Sequence, residues 1–330
     1  MARTLIRATD LSAIAQIAIL ATLSWISPER HWASIARRIA LVNARVKTGG
    51  MKLALARRRH AFDDRFELEI LDRMETLFLT HLYLARMQGY REYRLGGWRS
   101  EIQVIGADHI DAAIAAGRGV VLWVAQFAYN DLVSKKGLYE AGYRISHLSR
   151  PRHNISATRF GITFLNPIWT RIEDRYLAER VLIRDAGDSG SALALLRQRL
   201  KENRIISISV GGQAKRFVPV DFLNCELRLG TGPLHLARTS KAVLLPIFTV
   251  KQETGILVVN VEPPLIGGVG DDGEEPYESV VQRYAERLRH YVLQYPDQWS
   301  AKYFTRPKKA RAEAARQTEV NPHFPNELMI

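Results

Sequence analysis

The sequence predicts an α/β fold with a largely parallel sheet flanked by helices, preceded by an N-terminal helical region. Three observations carry this. Val120–Ala125 is an unbroken apolar run entered through a turn at Gly119, which is how a strand buried on both faces reads. From there to Tyr295 strand-like and helix-like segments alternate, the pattern of a parallel sheet with crossover helices. A polar pair, Gln126 and Asp131, stands where the apolar run stops, and in open parallel sheets ligands bind outside the carboxyl ends of the strands.

Taken in order, Leu11–Ile26 is the most hydrophobic segment and reads as a helix. Arg3 and Arg7 precede it; Trp32, Arg30, Arg37, Arg38, Arg45 and Lys47 follow. Cations flanking an apolar helix that carries Trp25 favour a helix seated in or against a membrane interface, with a helix packed on its own domain as the alternative. Phe62–Met87 is predicted as one long helix, because Phe62, Phe66, Ile70, Met74, Phe78 and Leu82 fall four apart. Glu101–Ile105 reads as a short strand and Ala107–Ala116 as a helix closing at Gly117. After the Val120–Ala125 strand come a helix over Asp131–Ala141, a strand at Arg144–Ser149 and a helical region around Ile155–Phe164. A strand at Arg180–Ile183, a helix over Gly190–Lys201 and a strand at Ile205–Val210 continue the alternation. A helix over Thr231–Ser240, strands at Val243–Val250 and Ile256–Val261, and a closing helix over Pro276–Tyr295 complete it. The chain thus divides into a membrane-associated basic segment over 1–60, an α/β domain over 61–304 and a basic tail over 305–330.

Composition narrows the function. A formal charge of +13 on 330 residues calls for an acidic partner. The basic residues flank an apolar helix and are not interleaved with aromatics, so an anionic membrane surface fits better than nucleic acid. The single cysteine, Cys225, excludes an intramolecular disulfide and fits a reducing compartment. No Cys/His cluster has zinc spacing, and nothing in the chain calls for a metal or cofactor.

Two stretches hold the candidate chemistry. In the first, Gln126 sits at a strand end and Asp131 opens the next helix, where a carboxylate is favoured. The second is Val210–Pro233. Gly211 and Gly212 free the backbone at a strand end, Gln213, Lys215 and Arg216 follow, and Gly230-Thr231-Gly232-Pro233 leads into a helix. Cations beside a glycine turn, with helix N-terminal amides close by, suit a phosphate or an oxyanion. The same residues also read as a surface hairpin with solvated charges followed by a capped helix.

The order of these features resembles that of the bacterial late lipid A biosynthesis (lauroyl/myristoyl) acyltransferases, within the lysophospholipid and glycerolipid acyltransferase superfamily. The resemblance runs over about residues 10–306. It is carried by QFAYND after the central strand, Arg150 after the second strand, SVGGQAKRFVPVDF, RLGTGPLHLARTSKAVLLPIF, VNVEPPL and YPDQWSAKYF. It implies a membrane-associated N-terminal helix and a domain at the cytoplasmic face of the inner membrane. It also implies transfer of a fatty acyl group from a thioester donor, acyl-carrier protein or acyl-CoA, to a lipid-like or amphipathic acceptor. The family's hallmark is a histidine, four residues, then a carboxylate, with imidazole as general base and the carboxylate orienting it. Asp131 matches the carboxylate, whereas Gln126 falls on the histidine. Arg150, Lys215 and Arg216 match basic positions suited to phosphate groups. Thr231 and Gly232 match the substrate-side helix start, and Gly212-Gln213 a stretch that carries an acid in the family.

A glutamine amide cannot take a proton near neutral pH, though it can donate and accept hydrogen bonds. Three readings follow: an acyltransferase with a nucleophilic acceptor such as an amine or with another base, a slow acyltransferase helped by Gln126, or a non-catalytic relative that binds lipid or carrier. His147, near the end of the Arg144–Ser149 strand, is the candidate replacement base, and His235 the next. Cys225 reads as buried structure.

Overall fold

A computed structural model of the chain describes residues 4–46, 49–62, 67–151, 155–183, 189–210, 214, 216–267, 275–301 and 305–307. Four helices come first: α1 (Ala8–Ile26), α2 (Trp32–Val46), α3 (Gly49–Phe62) and α4 (Leu68–Arg91). Then follow β1 (Ile102–Ile105), α5 (Asp108–Ala115), β2 (Val120–Val124), α6 (Lys135–Glu140), β3 (Ile145–Ser149), α7 (Asn166–Asp174), β4 (Glu179–Leu182), α8 (Ser189–Lys201) and β5 (Ile205–Ser209). The remainder is β6 (Phe217–Phe222), β7 (Cys225–Gly230), α9 (Gly232–Ser240), β8 (Val243–Lys251), β9 (Leu257–Val261), α10 (Tyr277–Gln294) and β10 (Thr305–Pro307).

The main sheet has seven strands in the order β1-β9-β8-β2-β5-β3-β4. From β8 to β4 every neighbouring pair is parallel. β9 returns antiparallel on β8, and β1 lies parallel to β9 at the edge. The predicted α/β class with a largely parallel sheet is the fold of the protein. β2 sits at its centre with all five residues buried. Val121 and Trp123 face a core shared with α8, α9 and α10, and Val120, Leu122 and Val124 face one shared with α4 and α6. Trp123 stacks on Tyr284 of α10 with ring centroids 4.0 Å apart. The turn into β2 requires glycine. Gly119 has φ +64°, and a Cβ there would lie 2.7 Å from the Leu200 carbonyl oxygen.

Two elements differ from the sequence reading. The four-residue stripe from Phe62 to Leu82 is not one helix: α3 ends at Phe62 and α4 begins at Leu68, with residues 63–66 outside the described set. Glu69 occupies the first turn of α4, where the helix dipole favours a carboxylate. The helix expected from Asp131 starts instead as a π-turn over Asn130–Ser134 before α6. Such a one-turn widening re-aims side chains at functional sites. Val210–Pro233 contains a hairpin, β6 and β7, whose Val218, Val220 and Phe222 point inward. β10 adds to its β7 edge.

The N-terminal helices pack on the domain. Leu20 of α1 and Trp32, Ala36 and Ala40 of α2 are buried in the same core as Tyr83, Leu84 and Met87 of α4. α4 joins the two sides of the sheet. Its Leu71 and Met74 belong to one core, and its Tyr83 to Tyr90 stretch to the other.

Candidate active site

Gln126 follows β2 directly. Its Nε2 donates to the Val210 carbonyl oxygen at 3.0 Å, just past the end of β5. Beside it the Val210 amide donates to the Val124 carbonyl at 2.8 Å, so the amide side chain extends the β2–β5 ladder past the strand end. This contact fixes the orientation of the Gln126 side chain. Among the described residues Oε1 has no hydrogen-bond partner, and it can accept one. Asp131 lies in the π-turn and is half-buried. Among the described residues no hydrogen bond or ion pair involves its carboxylate, while its backbone oxygen accepts from Lys135 Nζ at 2.8 Å.

The turn between them is gripped from two directions. From within, the buried Lys135 ammonium lies 3.2 Å from Oε1 of Glu173, whose side chain is fully buried in α7. Trp169 Nε1 donates to the same oxygen at 2.8 Å, and Arg180 donates to the other oxygen at 2.6 Å. A buried carboxylate is tolerable only with such partners. From the β8 side, Tyr295–Ser300 forms a strap. The Ser300 amide donates to the Gln126 oxygen at 3.0 Å, and the Ala128 amide donates to the Gln298 oxygen at 2.9 Å. The Gln298 side chain bonds both backbone groups of Lys251 at the end of β8, at 2.8 and 2.7 Å. The fully buried Arg58 of α3 pairs with Glu75 at 2.8 Å and donates to the Pro296 and Trp299 carbonyls at 2.8 and 2.9 Å.

The strap also closes a three-residue chain that sequence reasoning missed. His81 of α4 has Nε2 3.1 Å from Asp297 Oδ2 and Nδ1 2.8 Å from the Tyr129 hydroxyl. An ionised Asp297 can only accept, so Nε2–H donates to it. Burial pushes the Asp297 carboxyl up, but the His81 hydrogen bond and charge, with Arg58, leave it net below the usual carboxylate range. Burial and the Asp297 charge hold the Tyr129 phenol well above its usual value, so it stays a donor. The sequence signal for His81 is a polar residue three positions after Phe78 on the apolar stripe.

Arg150 is exposed at the first position past β3. Arg216 is exposed too, and its carbonyl accepts from the Thr231 amide at 3.1 Å. Thr231 is buried, and Gly232 opens α9 with free space around its Cα. A Cβ on Gly230 would come within 2.6 Å of the Ala214 side chain, so the loop and the α9 start are in close contact. Gly212, Gln213 and Lys215 lie outside the described residues. His147 lies inside the fold. It is 3% exposed, its Nδ1 is 2.8 Å from Ser207 Oγ, and it lines a small internal void with Asn130, Ser134 and Lys135. Val124 and Ser209, the last residues of β2 and β5, line the same void. His235 is on the exposed side of α9, 3.1 Å from the Tyr277 hydroxyl. Cys225 is fully buried, its thiol donating to the Phe222 oxygen at 3.2 Å.

The Gln126–Asp131 rim lies within a stretch, residues 85–301, that matches the family described as bacterial lipid A biosynthesis acyltransferase. The chain belongs to that family. The matching region takes in every strand of the main sheet and the strap that buttresses its rim. A curated relative, phosphatidylinositol mannoside acyltransferase of Mycobacterium tuberculosis (strain ATCC 25618 / H37Rv), is 26% identical over 195 residues. That alignment covers 59% of this chain and 56% of the relative, so the match spans little more than half of the relative's length.

Proposed function

We propose that this protein transfers a fatty acyl group from a thioester donor, acyl-carrier protein or acyl-CoA, to a hydroxyl or amine of a lipid-like acceptor at the cytoplasmic face of the inner membrane. The observation that supports this most is the Gln126 amide, held on Val210 at the central strand end, with the Asp131 carboxylate, which has no partner among the described residues, on the adjoining π-turn. By the resemblance of QFAYND, these two residues correspond to the family's histidine–carboxylate pair.

In the reaction, the acceptor oxygen or nitrogen attacks the thioester carbonyl carbon, its proton leaves, and the carbon–sulfur bond breaks to release the donor thiol. On our reading Gln126 Oε1 accepts a hydrogen bond from the acceptor and aligns it. The Asp131 carboxylate takes the proton, and the Gly232 amide at the α9 start faces the developing oxyanion. Arg150 and Arg216, with Lys215, serve phosphate groups of donor or acceptor. Without an imidazole the rate is lower by on the order of 10²- to 10⁴-fold than with one. An amine acceptor offsets part of that loss because its neutral form attacks first and loses its proton afterwards. The relative's phosphatidylinositol mannoside acceptor makes a glycolipid headgroup the first hydroxyl acceptor to try.

A second reading, a lipid- or carrier-binding protein without turnover, is favoured by one observation: the residue at the family's histidine position is Gln126, whose amide cannot take a proton. The assay that separates the two uses purified full-length protein, radiolabelled acyl-CoA or acyl-carrier protein, and mixed membrane lipids. Acyl-lipid product that disappears in Asp131→Ala supports the enzyme. Saturable donor binding without product in any lipid mixture supports the binding protein.

A further inference from the structure

We propose that α1 does not cross the membrane but lies along its surface, with both ends on the same side. Its outer face would rest among anionic lipid headgroups, next to the segment that leaves Arg150. This rests on the membrane location proposed above and adds the orientation of the helix.

α1 is long and apolar enough to span a bilayer, at 19 residues, and only 17% of its apolar stretch is buried. Yet both of its ends are fastened to the domain. At the N-terminal end Asp10 is fully buried and accepts from the hydroxyls of Ser156 at 2.5 Å and Thr158 at 2.8 Å. The backbone amides of Arg159 and Phe160 donate to the carbonyls of Thr4 and Leu5 at 3.1 and 3.0 Å. At the C-terminal end Arg91 donates to the Ser24 carbonyl at 2.9 Å, and Arg94 donates to that of Trp25. The Trp25 indole donates to the Tyr90 carbonyl at 2.9 Å. Arginines on the last carbonyls complement the helix dipole. A crossing helix would break one set of these contacts and carry the Asp10 carboxylate into or through hydrocarbon without partners, which is costly.

The surface left outside suits a headgroup layer. Leu11, Ile14, Ile19 and Ile26 are 61%, 38%, 52% and 73% exposed, and no charged residue occurs between Asp10 and Glu29. Phe164, 61% exposed, belongs to the turn Gly161–Leu165, which abuts α1. Arg30, Arg37, Arg38 and Arg45 are exposed nearby in sequence, and among the described residues no carboxylate pairs with them. An apolar helix face with a cationic flank complements anionic lipid. A second copy docked on the same face would set the cationic flanks against each other. Because α1 is bonded to Ser156–Phe160, close in the chain to Arg150, an acceptor in the headgroup layer meets that side of the rim.

The test is protease protection of the full-length protein carrying an epitope tag at each terminus. If α1 lies flat, both tags survive in intact spheroplasts and both are cut in inside-out vesicles. Cutting of the N-terminal tag in spheroplasts would show that α1 crosses and overturns the inference, leaving the acyl-transfer reading intact. A protein that stays soluble at moderate salt overturns the inference together with the membrane location. A companion measurement uses purified protein and phosphatidylglycerol–phosphatidylcholine vesicles. Ile14→Asp combined with Ile19→Asp should weaken binding by about tenfold or more with an unchanged melting curve. Unchanged binding, or self-association through this face without vesicle binding, overturns the proposal.

Discussion

Asp297 and His81, separated by 216 positions in the chain, meet at 3.1 Å behind the candidate site. The contact joins α4 to the strap at Tyr295–Ser300, and through Tyr129 it reaches the turn that carries Asp131. Asp297→Asn should therefore loosen this turn. Its carboxyl is lowered in the folded state, so its contribution is present above the unfolded value of about 4 and fades as pH falls through the folded value. Both side chains are about a fifth to a quarter exposed, which keeps the effect near 1 kcal/mol. Urea unfolding from pH 7 to pH 3 should show wild type losing its advantage over Asp297→Asn in the acid range. A pH-independent gap would contradict the assignment.

Arg58→Ala should be more severe. It leaves Glu75 buried without its cation and two strap carbonyls without a donor. Breaking a buried pair this way costs about 3–5 kcal/mol. Denaturant unfolding measures the loss, and a cost under about 1 kcal/mol would show that the strap is held by other contacts.

Glu173→Ala removes the shared partner of Lys135, Arg180 and Trp169. The expected loss is again about 3–5 kcal/mol. Lys135→Met combined with Glu173→Ala should recover part of it, because the buried ammonium goes as well. A double variant no better than the single one would contradict this view of the cluster.

The central part of the site was legible because its signals are local. The Val120–Ala125 run, Gly119 and the Gln126–Asp131 pair are contiguous, and the apolar run marks a strand buried on both faces by its own composition. The strap was visible as YPDQWS but its role was not, since Asp297, Pro296 and Trp299 act through His81 and Arg58, which sit on separate helices. His147 drew attention through its strand-end position. The residues that bury it, Ser207 and the inner face of the π-turn, come from other elements. The break between α3 and α4 was hidden by a stripe whose four-residue spacing continues across it.

The most direct measurement concerns Gln126 itself. On the function proposed above, the strand-end pair is the family's acyl-transfer site with its base replaced. Gln126→His should fold normally and raise acyl transfer from a labelled acyl thioester to membrane lipid by on the order of 10²- to 10⁴-fold, and adding Asp131→Ala should abolish the gain. A folded Gln126→His protein with no gain in rate, together with a wild-type rate indifferent to Asp131→Ala, would contradict it.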